Sequence, residues 1–83
     1  MERMACDFNI SIEELMGKRR QKHIVDARCV VASVFSSLGY SQPAIGELLG
    51  GRDNTTAGNL LRRAKGRKDL MKIINGYIQI FKV

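Results

Sequence analysis

The sequence predicts an all-α fold, a small helical domain of about five to six helices that contains a helix-turn-helix. Three observations predict it. Apolar residues recur at the i, i+3, i+4 spacing of one helical face in segment after segment. Two of these segments, one ending in Ile45, Leu48 and Leu49 and one carrying Ala57, Leu60, Leu61 and Ala64, are separated only by a turn built on Gly50-Gly51. Finally, residues 77–81 are the one stretch that passes for a strand, and no second strand exists to pair with it. With 83 residues, 45% of them apolar, there is room for one domain over residues 1–83 and a modest core.

The elements follow in order. Residues 1–8 place Met4, Ala5 and Phe8 at helical spacing, and Asn9-Ile10 breaks the pattern. Ser11-Ile12-Glu13-Glu14 matches a capping box, in which the Ser hydroxyl and the Glu carboxylate satisfy each other's backbone donors at a helix start. Ile12, Leu15 and Met16 face inward from that short helix, and Gly17 closes it. Residues 18–22 have no apolar member and read as an exposed loop. The longest helix spans 24–38, with Ile24, Ala27, Val31, Val34, Phe35 and Leu38 on one arc and Asp26, Ser33 and Ser37 opposite. Arg28 lies at the edge of the apolar arc, where its stem packs and its guanidinium reaches out.

Gly39 ends that helix, and Ser41 or Gln42 starts the next with Pro43 in the first turn, where a missing N–H costs nothing. Ile45, Leu48 and Leu49 are core, and Gly46 allows a neighbouring helix to come close. Asp53 caps the following helix. On that helix Ala57, Leu60, Leu61 and Ala64 point inward, while Thr55, Gly58, Asn59 and Arg62 point outward, with Asn54 at the tip and Arg63 on the flank. After an Asp69 cap, Leu70, Ile73, Ile74, Tyr77 and Phe81 form a closing helix whose aromatics are core.

Charge placement narrows the function. Lys and Arg number 14 against 8 Asp and Glu, a formal net charge of +6. Nine of the fourteen lie in two windows: Lys18, Arg19, Arg20 and Lys22, then Arg62, Arg63, Lys65, Arg67 and Lys68. Such clustering favours a phosphate-facing surface over simple solubility. Ser41, Gln42 and Pro43 form a helix start suited to an anion. The outward residues of the second motif helix can read base edges: Asn pairs with adenine, Thr donates, accepts or touches a methyl, and Arg suits guanine or phosphate. An arginine-bearing arm beside a helix-turn-helix, as at 18–22, can reach a minor groove.

Other classes are excluded. Clustered carboxylates, a nucleophile with its base and metal-ligand spacing around His23 are all missing, so neither an enzyme nor a metal, cofactor or small-molecule site is expected. Cys6 and Cys29 are isolated thiols, which suits a reducing compartment. No apolar run approaches the roughly twenty residues that span a bilayer, so a soluble, cytoplasmic and nucleoid-associated protein is expected.

The whole combination resembles the C-terminal DNA-binding domain, domain IV, of the bacterial replication initiator DnaA. The resemblance runs from Met4-Ala5-Cys6-Asp7-Phe8-Asn9-Ile10-Ser11 through Glu14-Leu15-Met16-Gly17-Lys18-Arg19-Arg20 to Gly50-Gly51-Arg52-Asp53-Asn54-Thr55-Thr56, and that last string is its most specific part. It implies a helical domain that binds short asymmetric duplex elements. It further implies Arg20 in the minor groove, Arg28 on a phosphate, Pro43 and the residues before it at the backbone, and Asp53, Asn54, Thr55 and Thr56 in the major groove. The chain departs from the family at Asn54, where most members carry His, and at Gly58, where they lack glycine, which implies an altered base preference.

The expected function is therefore sequence-specific binding of double-stranded DNA in replication initiation or its regulation. Asp53, Asn54, Thr55, Thr56, Asn59 and Arg62 are the major-groove candidates and Arg20 the minor-groove one. Lys18, Arg19, Lys22, Arg28, Ser41, Gln42, Pro43, Arg63 and Lys65 are the phosphate contacts. No Gly-rich phosphate loop is present, so an ATPase or a transposase domain would belong to a longer parent chain. Two competing readings are the DNA-targeting domain of a mobile-element protein, and a helical protein-interaction adaptor, whose sequence cue, an exposed apolar stripe, is not seen.

Overall fold

The helix over Lys22–Ser37 (α3) is the one on which the others are laid. In the computed structural model, which describes residues 2–18, 21–51 and 54–81, five more helices surround it: α1 (Glu2–Asp7), α2 (Ile12–Met16), α4 (Gln42–Leu48), α5 (Asn54–Lys65) and α6 (Lys68–Phe81). There is no strand among the described residues. α3 packs chiefly against α5 and α6 and also touches α1, α2 and α4. That explains a departure from simple amphipathicity, because Ala27 through Ala32 are all buried, Arg28 and Cys29 included. A helix surrounded by neighbours has no solvent face over its middle turns.

Local chemistry sets the helix ends. Asn9 takes a left-handed conformation at φ 60 and stops α1. Ser11 and Glu14 form the complete capping box, with Glu14 N–H donating to Ser11 Oγ at 3.0 Å and Ser11 N–H to Glu14 Oε1 at 3.1 Å. Ser41 Oγ accepts from Ala44 N–H at 3.4 Å, and Pro43 sits in the first turn of α4. α6 starts at Lys68, so Asp69 lies inside the first turn instead of capping from outside. Its carboxylate takes a two-pronged pairing from Arg67, at 3.1 and 2.9 Å, which holds it below the usual carboxylate range. Arg67 also reaches Asp26 on α3 at 3.3 Å and so ties the α5–α6 junction to the central helix.

Leu15, Ile24, Val30, Val31, Val34, Ile45, Leu49, Ala57, Ala64 and Ile74 form the heart of the core. Tyr77 is buried, and its hydroxyl donates to the Asp7 carboxylate, joining the last helix to the first. Two residues expected inside are exposed, and Leu48, expected in the core, is half-buried outside it. Met16 is 38% and Ile73 40% exposed. Met16 is the last residue of the five-residue α2, next to the fully buried Leu15, and Ile73 lies at the edge of the α6 face that Leu70, Ile74 and Tyr77 bury. The side chain of Phe81 lies outside the described residues.

Cys29 is fully buried and Cys6 exposed. Burial pushes the Cys29 thiol above the usual cysteine range, with Arg63 pulling weakly the other way. A thiol reagent is expected to label Cys6 alone under native conditions. Because the folded state holds the Cys29 proton longer than the unfolded chain does, stability should be flat up to about pH 8.5 and fall above it, as only the unfolded thiol ionises. Denaturant midpoints across pH 7–10 check the sign.

Candidate nucleic-acid interface

α4 and α5 form the two helices of the motif, joined by the turn at Gly50-Gly51, both of which have positive φ, +94 and +81. Ala57, Leu60 and Ala64 fasten α5 to the core. Thr55, Asn59 and Arg62 are consequently exposed, Arg63 with them, and Thr56 is half-buried. The polar face of α5 is thus turned outward. Arg19, Arg20 and Asp53 lie outside the described residues, as does the side chain of Asn54.

Gly58 does not simply face solvent. A Cβ added there would stand 3.3 Å from the Gln42 side-chain carbonyl oxygen, at the start of α4. The glycine therefore sits where the first motif helix passes the second. Gln42 is exposed and its side chain is free to shift by the few tenths of an ångström needed. Gly58→Ala is expected to stabilise the fold by about 0.5–1 kcal/mol, the usual gain of alanine in a helix interior, read as a higher urea midpoint.

The turn is seated on α2. A Cβ on Gly50 would collide with the Met16 carbonyl oxygen and lie 3.2 Å from its carbon. This contact holds the end of α2, and Lys18 after it, beside the first turns of α5. Between them lies an open cleft. Met16, Gly17 and Lys18 at the end of α2, Val25 and Arg28 of α3, Gly50 and Gly51 of the turn, and Thr56, Asn59, Leu60 and Arg63 of α5 line it. Lys18, from the first basic window, and Arg63, from the second, thus share one concavity although 45 residues apart in sequence. Periodicity identifies the faces, and the shared cleft brings Lys18 and Arg63 together.

The remaining cations divide by environment. Lys22, Arg62, Lys65 and Lys68 are exposed. Arg67 is engaged by Asp26 and Asp69. Ser41, Gln42 and Pro43 are exposed at the start of α4. Arg28 requires a correction. Its guanidinium was expected to reach outward, but the residue is 4% exposed and its charged end is turned onto main-chain carbonyls of α2 and Gly17. The cause is the end of α2, whose main-chain carbonyls hold the guanidinium by three hydrogen bonds beside the cleft that Arg28 helps to line. Among the described residues, no group of His, Cys, Asp and Glu is placed to hold a metal ion, and no helix is long and apolar enough to cross a membrane.

This arrangement agrees with what comparison finds. A family model described as the bacterial dnaA protein helix-turn-helix matches residues 1–63. The chain belongs to that bacterial DnaA helix-turn-helix family. It is 44% identical over 54 residues to the chromosomal replication initiator protein DnaA of Oenococcus oeni (strain ATCC BAA-331 / PSU-1), covering 64% of this chain and 12% of that protein. It is 38% identical over 66 residues to the protein of the same name from Corynebacterium jeikeium (strain K411), covering 78% of this chain and 11% of that one. The chain therefore spans about a tenth of the length of these DnaA relatives. The DnaA family match takes in both motif helices and the basic segment at 18–22, while α6 follows the matched residues.

Proposed function

We propose that this chain binds double-stranded DNA in a sequence-specific way, with α5 in the major groove and the basic segment 18–20 in the neighbouring minor groove. The observation that carries the reading is the exposed Thr55, Asn59 and Arg62 face beside a cleft lined by both Lys18 and Arg63. A helix in one groove and an arm in the next must straddle one phosphodiester strand. The cleft between them, flanked by a cation from each basic window, is where that strand would run. Asp53, Asn54, Thr55, Thr56, Asn59 and Arg62 are assigned to base edges and Arg20 to the minor groove. Lys18, Arg19, Lys22, Arg63 and Lys65 are assigned to phosphates, as are Ser41, Gln42 and Pro43 at the start of α4.

The relatives are named as chromosomal replication initiators, and replication initiation or its regulation is the setting proposed for this domain. An ATPase in a longer parent chain is part of the same proposal, and so is a base preference shifted by Asn54. No catalytic step is assigned to these residues.

The test pairs two substitutions on the duplex that the wild-type domain selects from a random pool. Thr55→Ala should lose discrimination at one or two base pairs, by roughly 1–3 kcal/mol for a good contact. Lys22→Ala should weaken all sequences alike. The same sequence-blind loss from both would refute the groove assignment. One observation favours an adaptor instead: Tyr40, Pro43, Ala44 and Leu48 line an exposed, largely apolar groove with Glu47 at its edge. Partner binding there would be insensitive to competing oligonucleotide.

A further inference from the structure

Arg28 is buried at the root of the proposed interface and has no part in the assignments above. From α3 it reaches the last turn of α2, where its Nε donates to the Leu15 carbonyl at 2.7 Å and its Nη2 to the carbonyls of Glu14 at 2.9 Å and Gly17 at 2.7 Å. These oxygens belong to the end of a helix of five residues, where a cation is favoured by the helix dipole. The same end of α2 is held from another side by the motif turn, since Gly50 lies against the Met16 carbonyl. Residue 18 leaves directly from this doubly held point and lines the cleft. Turning the guanidinium out to a phosphate would abandon three charge-assisted hydrogen bonds, one buried and two part-buried. One contact in solvent does not compensate for that.

We propose that Arg28 is a positioning residue for DNA recognition: it fixes the end of α2, and with it Lys18 on the cleft beside α5, the point from which the chain continues to the arginine assigned to the minor groove. The inference rests on the DNA-binding reading above. It differs from a phosphate contact in what it makes Arg28 act through. A phosphate contact acts on DNA by its charge, whereas the positioning role acts through Arg20 and its neighbours by geometry. Lysine separates the two, because it keeps the charge but a single ammonium on a different stem cannot hold the three carbonyls in the same way.

The experiment is a double-mutant cycle on the duplex selected by the wild-type domain, with thermal unfolding as the check on folding. Arg28→Lys should weaken specific binding about as much as Arg20→Ala does, on the order of tenfold, the size of one good groove contact. Joined to Arg20→Ala it should weaken binding little further, while joined to Thr55→Ala the two losses should multiply. Wild-type affinity in Arg28→Lys, or losses from Arg28→Lys and Arg20→Ala that multiply, would overturn the proposal. Should Arg28→Lys fail to fold, the Arg28 Nε–H resonance of the wild-type domain decides. Slow exchange and an unchanged shift on adding the duplex support positioning, and a shift with faster exchange overturns it. A wild-type domain that selects no sequence over random duplex would instead bring down the DNA-binding reading itself, an outcome visible before any variant is made.

Discussion

Gly50→Ala is expected to lower stability by about 3 kcal/mol or more, the sum of two penalties that the structure places on one atom. The first is conformational: at φ +94 a residue with a Cβ is strained, at a cost on the order of 1–3 kcal/mol. The second is steric. The new Cβ meets the Met16 carbonyl, a main-chain group already fixed by the packing of α2, so the collision is not relieved by a side-chain swing. Overpacking of this kind costs typically 1–3 kcal/mol. Gly51→Ala is the internal control, because Gly51 has φ +81 but nothing within 4 Å of its Cβ position. It should carry only a conformational penalty, roughly 1–2 kcal/mol. Against a total stability of about 4–12 kcal/mol for a chain of this size, the first variant is near the limit of folding. Its melting temperature should fall by roughly 12–24 °C. Equal losses from Gly50→Ala and Gly51→Ala would show that the seat of the turn on α2 carries no energy.

The same contact marks the boundary of what the sequence makes legible. Helix starts are written in local chemistry, and Ser11 with Glu14, and Ser41 with Pro43, carry their own donors and acceptors within four residues. The face of α5 is legible too, since Ala57, Leu60 and Ala64 repeat at the spacing of one buried side. Partnership across the fold is not written in this way. Gly50 reads as a turn residue in either case, and its sequence neighbourhood holds no sign that Met16 lies behind it. Gly58 likewise reads as an outward glycine until Gln42 is placed opposite. Arg28 shows the limit most clearly. Its position at the margin of an apolar arc is compatible with a guanidinium turned either way, and only the placement of the α2 carbonyls beside it decides that it turns in. Ile73 fails for a related reason. It shares the apolar pattern of α6, but just one side of that helix rests on α3, the side of Leu70, Ile74 and Tyr77.

If the DNA-binding reading holds, the cations that survive this structural sorting set how steeply affinity depends on salt. Arg67 is withdrawn by its pairing with Asp26 and Asp69, and Arg28 by burial. Among the described residues Lys18, Lys22, Arg63 and Lys65 remain exposed on or beside the proposed face, and Arg19 is the fifth cation assigned to a phosphate. Five phosphates neutralised at about −0.9 per contact give a slope of log K against log salt near −4.5. Raising salt from about 50 to 200 mM should then weaken binding by roughly 500-fold. Arg63→Ala should reduce the slope by about one, because its charge lies in the cleft through which the strand would pass. Arg67→Ala should leave the slope where it was, although it removes the same formal charge, and its cost should appear in stability as the tie between α3 and the α5–α6 junction is lost. The contrast matters more than either value. A surface that acted only through net charge would respond equally to the two substitutions, since both lower the charge by one, whereas a built interface distinguishes the arginine that faces the strand from the arginine held by its own protein.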